Sequence, residues 1–234
     1  MQIFYAPGII GNSYVLDERE SRHCIRVLRM TEGTPVNVID GKGNLYEGVI
    51  SIADPKECRI SINKVTRDFE RRNYRLHIAI SPVKNAERFE WFVEKSVEIG
   101  IDEITPVICR NTEKQRIKQE RITSIIISAM KQSLKAEITI LNEVASFEDF
   151  IKRENPVKKY IAHCSSSHDR VKIDDDYIKG EDVIILIGPE GDFSEKEISK
   201  ARAAGFIPVN LGKSRLRTET AGIAACHSIY FLNQ

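Results

Sequence analysis

Little in this chain marks a specialised class. Cysteine occurs only at positions 24, 58, 109, 164 and 226: an odd number, widely scattered, with no CxxC pair. That pattern excludes a disulfide framework and a zinc site, and reads as small buried thiols of a reducing cytosol. No apolar run approaches the roughly 18 residues that span a bilayer. The opening Met1-Gln2-Ile3-Phe4-Tyr5 has no basic stretch leading into a long apolar one, so no secretory leader is expected and the expected location is cytoplasmic. Long acidic, Ser-rich or Pro-rich tracts are missing, which excludes intrinsic disorder. Neither sign of charge dominates: 35 Lys plus Arg face 34 Asp plus Glu, a net charge of +1. A wholesale nucleic-acid coat is thereby excluded, and any anion binding must come from a local patch. What is present is core material: 41% of 234 residues are hydrophobic, enough for one large domain or two small ones.

Two rhythms divide the chain. The first ~70 residues alternate over short segments, with Pro35 to Ile39, the turn Asp40-Gly41-Lys42-Gly43-Asn44, Leu45 to Ile52 and Cys58 to Ile62. One helix is expected between Asp17 and Met30, acids first and arginines last. This predicts a small β-barrel with one helix over 1–70. The charged stretch Arg67-Asp68-Phe69-Glu70-Arg71-Arg72 follows as a boundary. Over 73–234 strands alternate with helices. Strands are expected at 76–80, 103–108, 138–141, 158–162, 183–187 and 207–211, and helices at 85–99, 113–131 and 218–231. Ser194 and Glu197 form a capping box for a further helix, ended by Gly205. Such alternation predicts an α/β domain with a mostly parallel sheet covered on both faces.

The common catalytic motifs are absent. Gly212-Lys213-Ser214 has Ile207 where a P-loop needs its first glycine, no GxGxxG follows a strand, and no GxSxG elbow exists. His163 and His168 flank a Ser-rich loop without a second ligand cluster, so no metal is expected. Two loops remain at strand C-termini, where α/β sheets bind ligands. Gly188-Pro189-Glu190-Gly191-Asp192-Phe193 lets the backbone approach a ligand, or is simply the turn into the Ser194-capped helix. Asn210 to Thr220 carries Lys213, Arg215, Arg217 and Glu219 before the last helix, which Thr218 can cap. In the first region Arg22, Arg26 and Arg29 share one face of an α-helix, next to His23. They form either a phosphate-contacting ridge or a solvated face with internal pairs.

These residues resemble a known family. Gly188-Pro189-Glu190-Gly191, and Leu211-Gly212 through Leu216-Arg217-Thr218-Glu219-Thr220-Ala221, are similar to the two C-terminal signatures of the RsmE family. Lys84, Glu87-Arg88, Lys95, Glu98-Ile99-Gly100 and Ile104-Thr105-Pro106 resemble its first helix and second strand. His23, Val27-Leu28-Arg29, Gly33 and Asp40-Gly41-Lys42-Gly43 resemble its N-terminal domain. The pattern departs at Asp192, where a second glycine is usual, at Ser214, where arginine is usual, and at Lys131, where an acid is usual.

The resemblance implies a SPOUT-class, S-adenosylmethionine-dependent methyltransferase acting on N3 of a 16S ribosomal RNA uridine in the small subunit. It also implies a PUA-like N-terminal barrel, a trefoil knot and a homodimer. Ala162, His163, Ile187, Gly188, Gly191, Leu211, Gly212, Arg215, Leu216 and Thr220 are then the expected cofactor contacts. Arg22, Arg26, Arg29, Lys131 and Lys135 are the expected RNA contacts. N3 must lose a proton to become nucleophilic, and a fixed cation stabilises the charge that spreads to the flanking carbonyl oxygens. Arg217 is expected to be that cation, with Glu219 either the base or the group that orients Arg217. The residues alone leave open a methylase for another RNA position or ribose oxygen, a non-enzymatic RNA-binding assembly factor, and a metabolic α/β enzyme.

Overall fold

The computed structural model describes residues 3–153, 156–165 and 169–234. Met1 and Gln2, where the leader was sought, and His168 lie outside the described residues. The chain forms two compact units: Met1–Arg71 with Met130–Ile138, and Arg72–Ala129 with Thr139–Gln234.

The first unit contains β1 (Ile3–Tyr5), β2 (Ser13–Val15), α1 (Glu18–Arg22), a π-helical segment His23–Val27, β3 (Pro35–Ile39), β4 (Leu45–Ile52) and β5 (Arg59–Thr66). Its sheet runs β1-β3-β4-β5-β2, parallel only between β1 and β3. It curls around Phe4, Leu16, Cys24, Val36, Val38, Ile50, Cys58 and Ile60. The Asp40–Asn44 turn is tied by one carboxylate. Asp40 accepts from the backbone N–H of Lys42 (2.7 Å) and Asn44 (3.1 Å), while Gly41 and Gly43 take φ of 76° and 92°. The segment 130–138 returns to this turn: Gly43 N–H donates to Ala136 O and Ile138 N–H to Gly41 O, both at 3.0 Å.

The expected helix over 17–30 is corrected. Asp17 caps α1 by accepting from Glu20 N–H at 2.8 Å, but after one turn the pattern widens, and Leu28 N–H donates to His23 O, five residues back. Arg29 lies beyond the helix at φ 55°. The four-and-three spacing of Arg22, Arg26 and Arg29 therefore does not define one α-helical face, although all three are exposed.

The second unit contains β6 (Leu76–Ile80), α2 (Ala86–Ile99), β7 (Glu103–Ile108), α3 (Gln119–Gln132, its last turn in the first unit), β8 (Ile140–Leu141), β9 (Ala145–Ser146), α4 (Phe147–Ile151), β10 (Lys158–Ala162), β11 (Val171–Lys172), α5 (Ile173–Asp176), β12 (Val183–Ile187), α6 (Glu195–Ala203), β13 (Ile207–Asn210) and α7 (Thr218–Leu232). The sheet runs β11-β13-β10-β12-β6-β7-β8, all parallel, with β9 beside β7. β6 and β12 are buried at every residue, as expected for central strands covered on both faces. On one face Ala79, Leu186 and Ile161 pack with Phe147, Phe150, Phe193 and Ile198. On the other, α7 lies so close to α2 that a Cβ on Gly222 would stand 2.5 Å from the Phe92 ring.

Element boundaries differ from expectation at several points, and the strand expected over 138–141 is only Ile140–Leu141. α3 begins at Gln119, so residues 113–118 form a loop, and β13 stops at Asn210. Thr218 does not cap α7. Arg217 occupies the cap position, and Thr218 instead donates its hydroxyl to Gly188 O at 2.9 Å. Of the cysteines, 24, 58, 109 and 226 are buried as expected, but Cys164 is exposed.

Candidate active site

Because the sheet is parallel, the loops after β10, β12 and β13 emerge on one side, and the N-terminus of α7 comes back to them. Together they enclose a cavity of about 300 Å³, within the range of small-molecule sites. Of the expected contacts, Ala162, His163, Ile187, Gly188, Leu211, Gly212, Arg215, Leu216 and Arg217 line it. Gly191, Thr220 and Glu219 do not. Gly191 packs on Asn111, whose Cβ would be 3.1 Å from an added Cβ there. Thr220 lies off the lining for a helical reason: Thr218 and Ala221, three apart, face the cavity, and Thr220 falls on another side of α7.

Several backbone features shape this cavity. Gly212 takes φ 118°, a conformation side-chain-bearing residues rarely adopt. Gly188 has no room for a Cβ, which would lie 2.9 Å from the Phe193 ring. Asp192 sits in the left-handed region at φ 61°, and its carboxylate accepts from Cys164 N–H and Phe193 N–H, both at 2.8 Å. It thereby clamps the loop after β12 to the loop after β10. Asn111 steadies the same loop by donating to Gly191 O (3.2 Å) and Asp192 O (3.0 Å). Glu197 closes the capping box of α6 and also accepts from Arg110 N–H at 2.8 Å, which ties in the loop after β7.

The sequence reading missed Arg170 and Val209 on the lining, while Ala162, His163 and Cys164 form one wall as expected. Arg170 donates to His163 O at 2.6 Å. Its place follows from β13 lying beside β10, an adjacency no local pattern encodes. The charged groups on the lining are Glu190 and Asp192 against Arg170, Arg215 and Arg217, a mixed set that suits a ligand bearing both signs. Glu219 is buried (5% exposed), with the Arg88 Nε 3.8 Å from one carboxylate oxygen; the other oxygen has no hydrogen-bond partner among the described residues. No group of three or more metal-ligating His, Cys, Asp or Glu side chains occurs among the described residues. Among them, too, no helix is long and apolar enough to cross a membrane.

The model of the RNA methyltransferase domain family matches residues 70–230, and that of the RNA methyltransferase PUA domain matches residues 16–63. The chain belongs to the RsmE family of RNA methyltransferases. It is 31% identical to ribosomal RNA small subunit methyltransferase E of Buchnera aphidicola (subsp. Acyrthosiphon pisum), over 96% of this chain and 90% of that one. A crystal structure described as a "probable rRNA-methyltransferase" from Porphyromonas gingivalis is 42% identical and superposes with a TM-score of 0.94, covering 100% of this chain and 98% of that one. The Neisseria gonorrhoeae ribosomal RNA small subunit methyltransferase E, solved bound to S-adenosyl methionine, is 26% identical with a TM-score of 0.88, over 99% and 98% of the two chains.

Where the RsmE pattern usually has a second glycine, Asp192 keeps the left-handed backbone and adds the carboxylate clamp. Ser214 replaces the usual arginine on the lining, where Arg215 stands beside it. Lys131 replaces the usual acid, and its ammonium lies 2.7 Å from Glu20 in the first unit. Lys135 is half-buried in the same returning segment. Arg22 pairs with Glu18 at 2.5 Å, but with both side chains more than 60% exposed the pair is weak.

Proposed function

We propose that this chain uses S-adenosylmethionine to methylate N3 of one uridine of 16S ribosomal RNA, uridine 1498 in the usual numbering, in the small ribosomal subunit. The observation that carries this reading is the cavity at the ends of β10, β12 and β13, with Arg217 on its wall. The fit rests on the backbone: Gly188 and Gly212 leave main-chain groups open, and Leu211, Leu216 and Ile187 offer apolar surface for a planar ring. Bound there, the cofactor supplies an electrophilic sulfonium methyl. The residues of this chain align donor and acceptor, which is the larger part of such a displacement. Arg217, at the cap of α7, holds its guanidinium toward the uracil carbonyl oxygens as N3 gives up its proton. Glu219 lies off the lining and is a positioning residue, acting through Arg88 and the first turn of α7.

The exposed Arg22, Arg26 and Arg29 supply RNA affinity from the first unit. Lys131 contributes less, because Glu20 neutralises it. The reading also includes a cytoplasmic homodimer and a knot involving the two cavity loops. The strand order supports the knot, since β10 lies between β12 and β13, two strands that follow it in the chain, and their loops flank it.

The test is methyl transfer from labelled S-adenosylmethionine to small subunits lacking N3-methyluridine, followed by nucleoside analysis. N3-methyluridine at one site is expected. Transfer to a different atom or site overturns the assignment of the acceptor. Absence of cofactor binding overturns the enzymatic reading.

A further inference from the structure

The loop between β7 and α3 is not part of the cavity, yet it is built onto it. Its base is fixed by three links: Asn111 donating to Gly191 O and Asp192 O, Arg110 N–H donating to Glu197, and Thr112 Oγ1 lying 2.8 Å from Ser81 Oγ. Beyond that base the chain reads Glu113-Lys114-Gln115-Arg116-Ile117-Lys118 and stays out of the helix until Gln119. Arg110, Arg116 and Lys118 are exposed, and Lys114 is half-exposed. The loop's one acid, Glu113, is taken by Lys84 at 3.0 Å. None of Lys114, Arg116 and Lys118 pairs with an acid among the described residues. The result is a row of unneutralised cations rooted on the very loop, 188–192, that forms one wall of the cavity.

A methyl acceptor inside a folded RNA brings flanking phosphates with it, and a strand whose base enters this cavity must lay those phosphates beside its mouth. We propose that the loop 110–118 is a phosphate-contacting strip that docks the RNA strand flanking the target base, through Arg110, Lys114, Arg116 and Lys118. This rests on the RNA-methyltransferase reading and adds to it a substrate track on the second unit, separate from the arginines of the first. The contacts are to phosphate, so they set affinity and register and carry no base specificity.

The test is the triple variant Lys114→Gln, Arg116→Gln, Lys118→Gln in the full chain. Its control is Lys152→Gln, Lys179→Gln, Arg202→Gln, which removes the same charge at the opposite ends of the strands. Binding of unmodified 16S rRNA is measured against salt, S-adenosylmethionine affinity by calorimetry, and methyl transfer at varied small-subunit concentration. The loop variant is expected to flatten the slope of log K against log salt by ~2–3 (about 0.7–0.9 per lost phosphate contact). Its KM for subunits should rise about tenfold or more, with kcat and cofactor affinity near those of the parent, while the control changes none of these. An unchanged salt slope and KM, or an equal loss in the control, overturns the strip. Failure of the parent protein to transfer methyl overturns the proposed function instead, and the salt slopes still decide the strip.

Discussion

Asp192 shows how one residue can serve the backbone and a loop contact together. Its left-handed φ suits glycine, while its carboxylate receives two backbone N–H groups. Asp192→Ala keeps the strained backbone and loses both bonds, so it should destabilise by ~2–3 kcal/mol. Asp192→Gly relieves the strain and should cost about 1 kcal/mol; urea unfolding of the two variants checks the order. Gly188→Val would put a side chain into the cavity wall. The Phe193 ring against Gly188 makes it a core substitution as well, so stability must be measured beside affinity. Arg217→Ala should lower kcat ~100- to 1000-fold with cofactor affinity near normal. Glu219→Gln should cost less and leave the shape of the pH–rate profile unchanged. Loss of one limb of that profile would make Glu219 the base.

At the scale of elements, the strands were the most legible part. β12 falls at 183–187 as expected, because a parallel strand buried on both faces needs a continuous apolar run, and β10 falls at 158–162. Caps were legible in part: Ser194 with Glu197 forms the full box, whereas Thr218 does not cap α7 and the Asn85 cap of α2, which accepts from Glu87 N–H at 2.8 Å, was not anticipated. The helix start at 113 was misplaced because residues 113–118, rich in good helix formers, leave only Ile117 to pack. The π-helical turn was invisible because α-helical periodicity assumes 3.6 residues per turn. The returning segment 130–138 has a measurable role in the first unit. Lys131 and Glu20 are mostly buried there (24% and 16% exposed), and the second oxygen of Glu20 has no hydrogen-bond partner among the described residues. Lys131→Ala should therefore destabilise the first unit by ~1–3 kcal/mol while changing RNA affinity little. A thermal melt paired with RNA binding tests both.

For the whole molecule, one contribution to the pH dependence of stability is expected from inside the sheet of the second unit. His77 on β6 is held by Thr105 Oγ1 at 2.7 Å and lies edge-on to Phe150. Burial pulls its pKa from 6.5 down to about 4, with Glu103 opposing that shift. The folded chain thus keeps His77 neutral through a range in which the unfolded imidazole is protonated. Unfolding takes up a proton between those values, so stability should fall as pH is lowered from about 6.5 to about 4. His77→Gln should remove part of that pH dependence, read as denaturation midpoints across the range. An unchanged dependence would place the acid sensitivity elsewhere.

Composition, hydrophobic rhythm and the two C-terminal signatures were enough for the fold class, the central strands and most of the cavity wall. These depend on local chemistry: an apolar run, a capping pair, glycines where the backbone must stay open. The sequence carried no sign of Arg170 on the wall, the Asp192 clamp, the Thr218 bond to Gly188 or the cation row rooted on the cavity loop. Each depends on strand order, which sets β13 beside β10 and brings residues far apart in the chain within hydrogen-bonding distance. Such pairings form only when the whole sheet closes its core, so they belong to the tertiary structure.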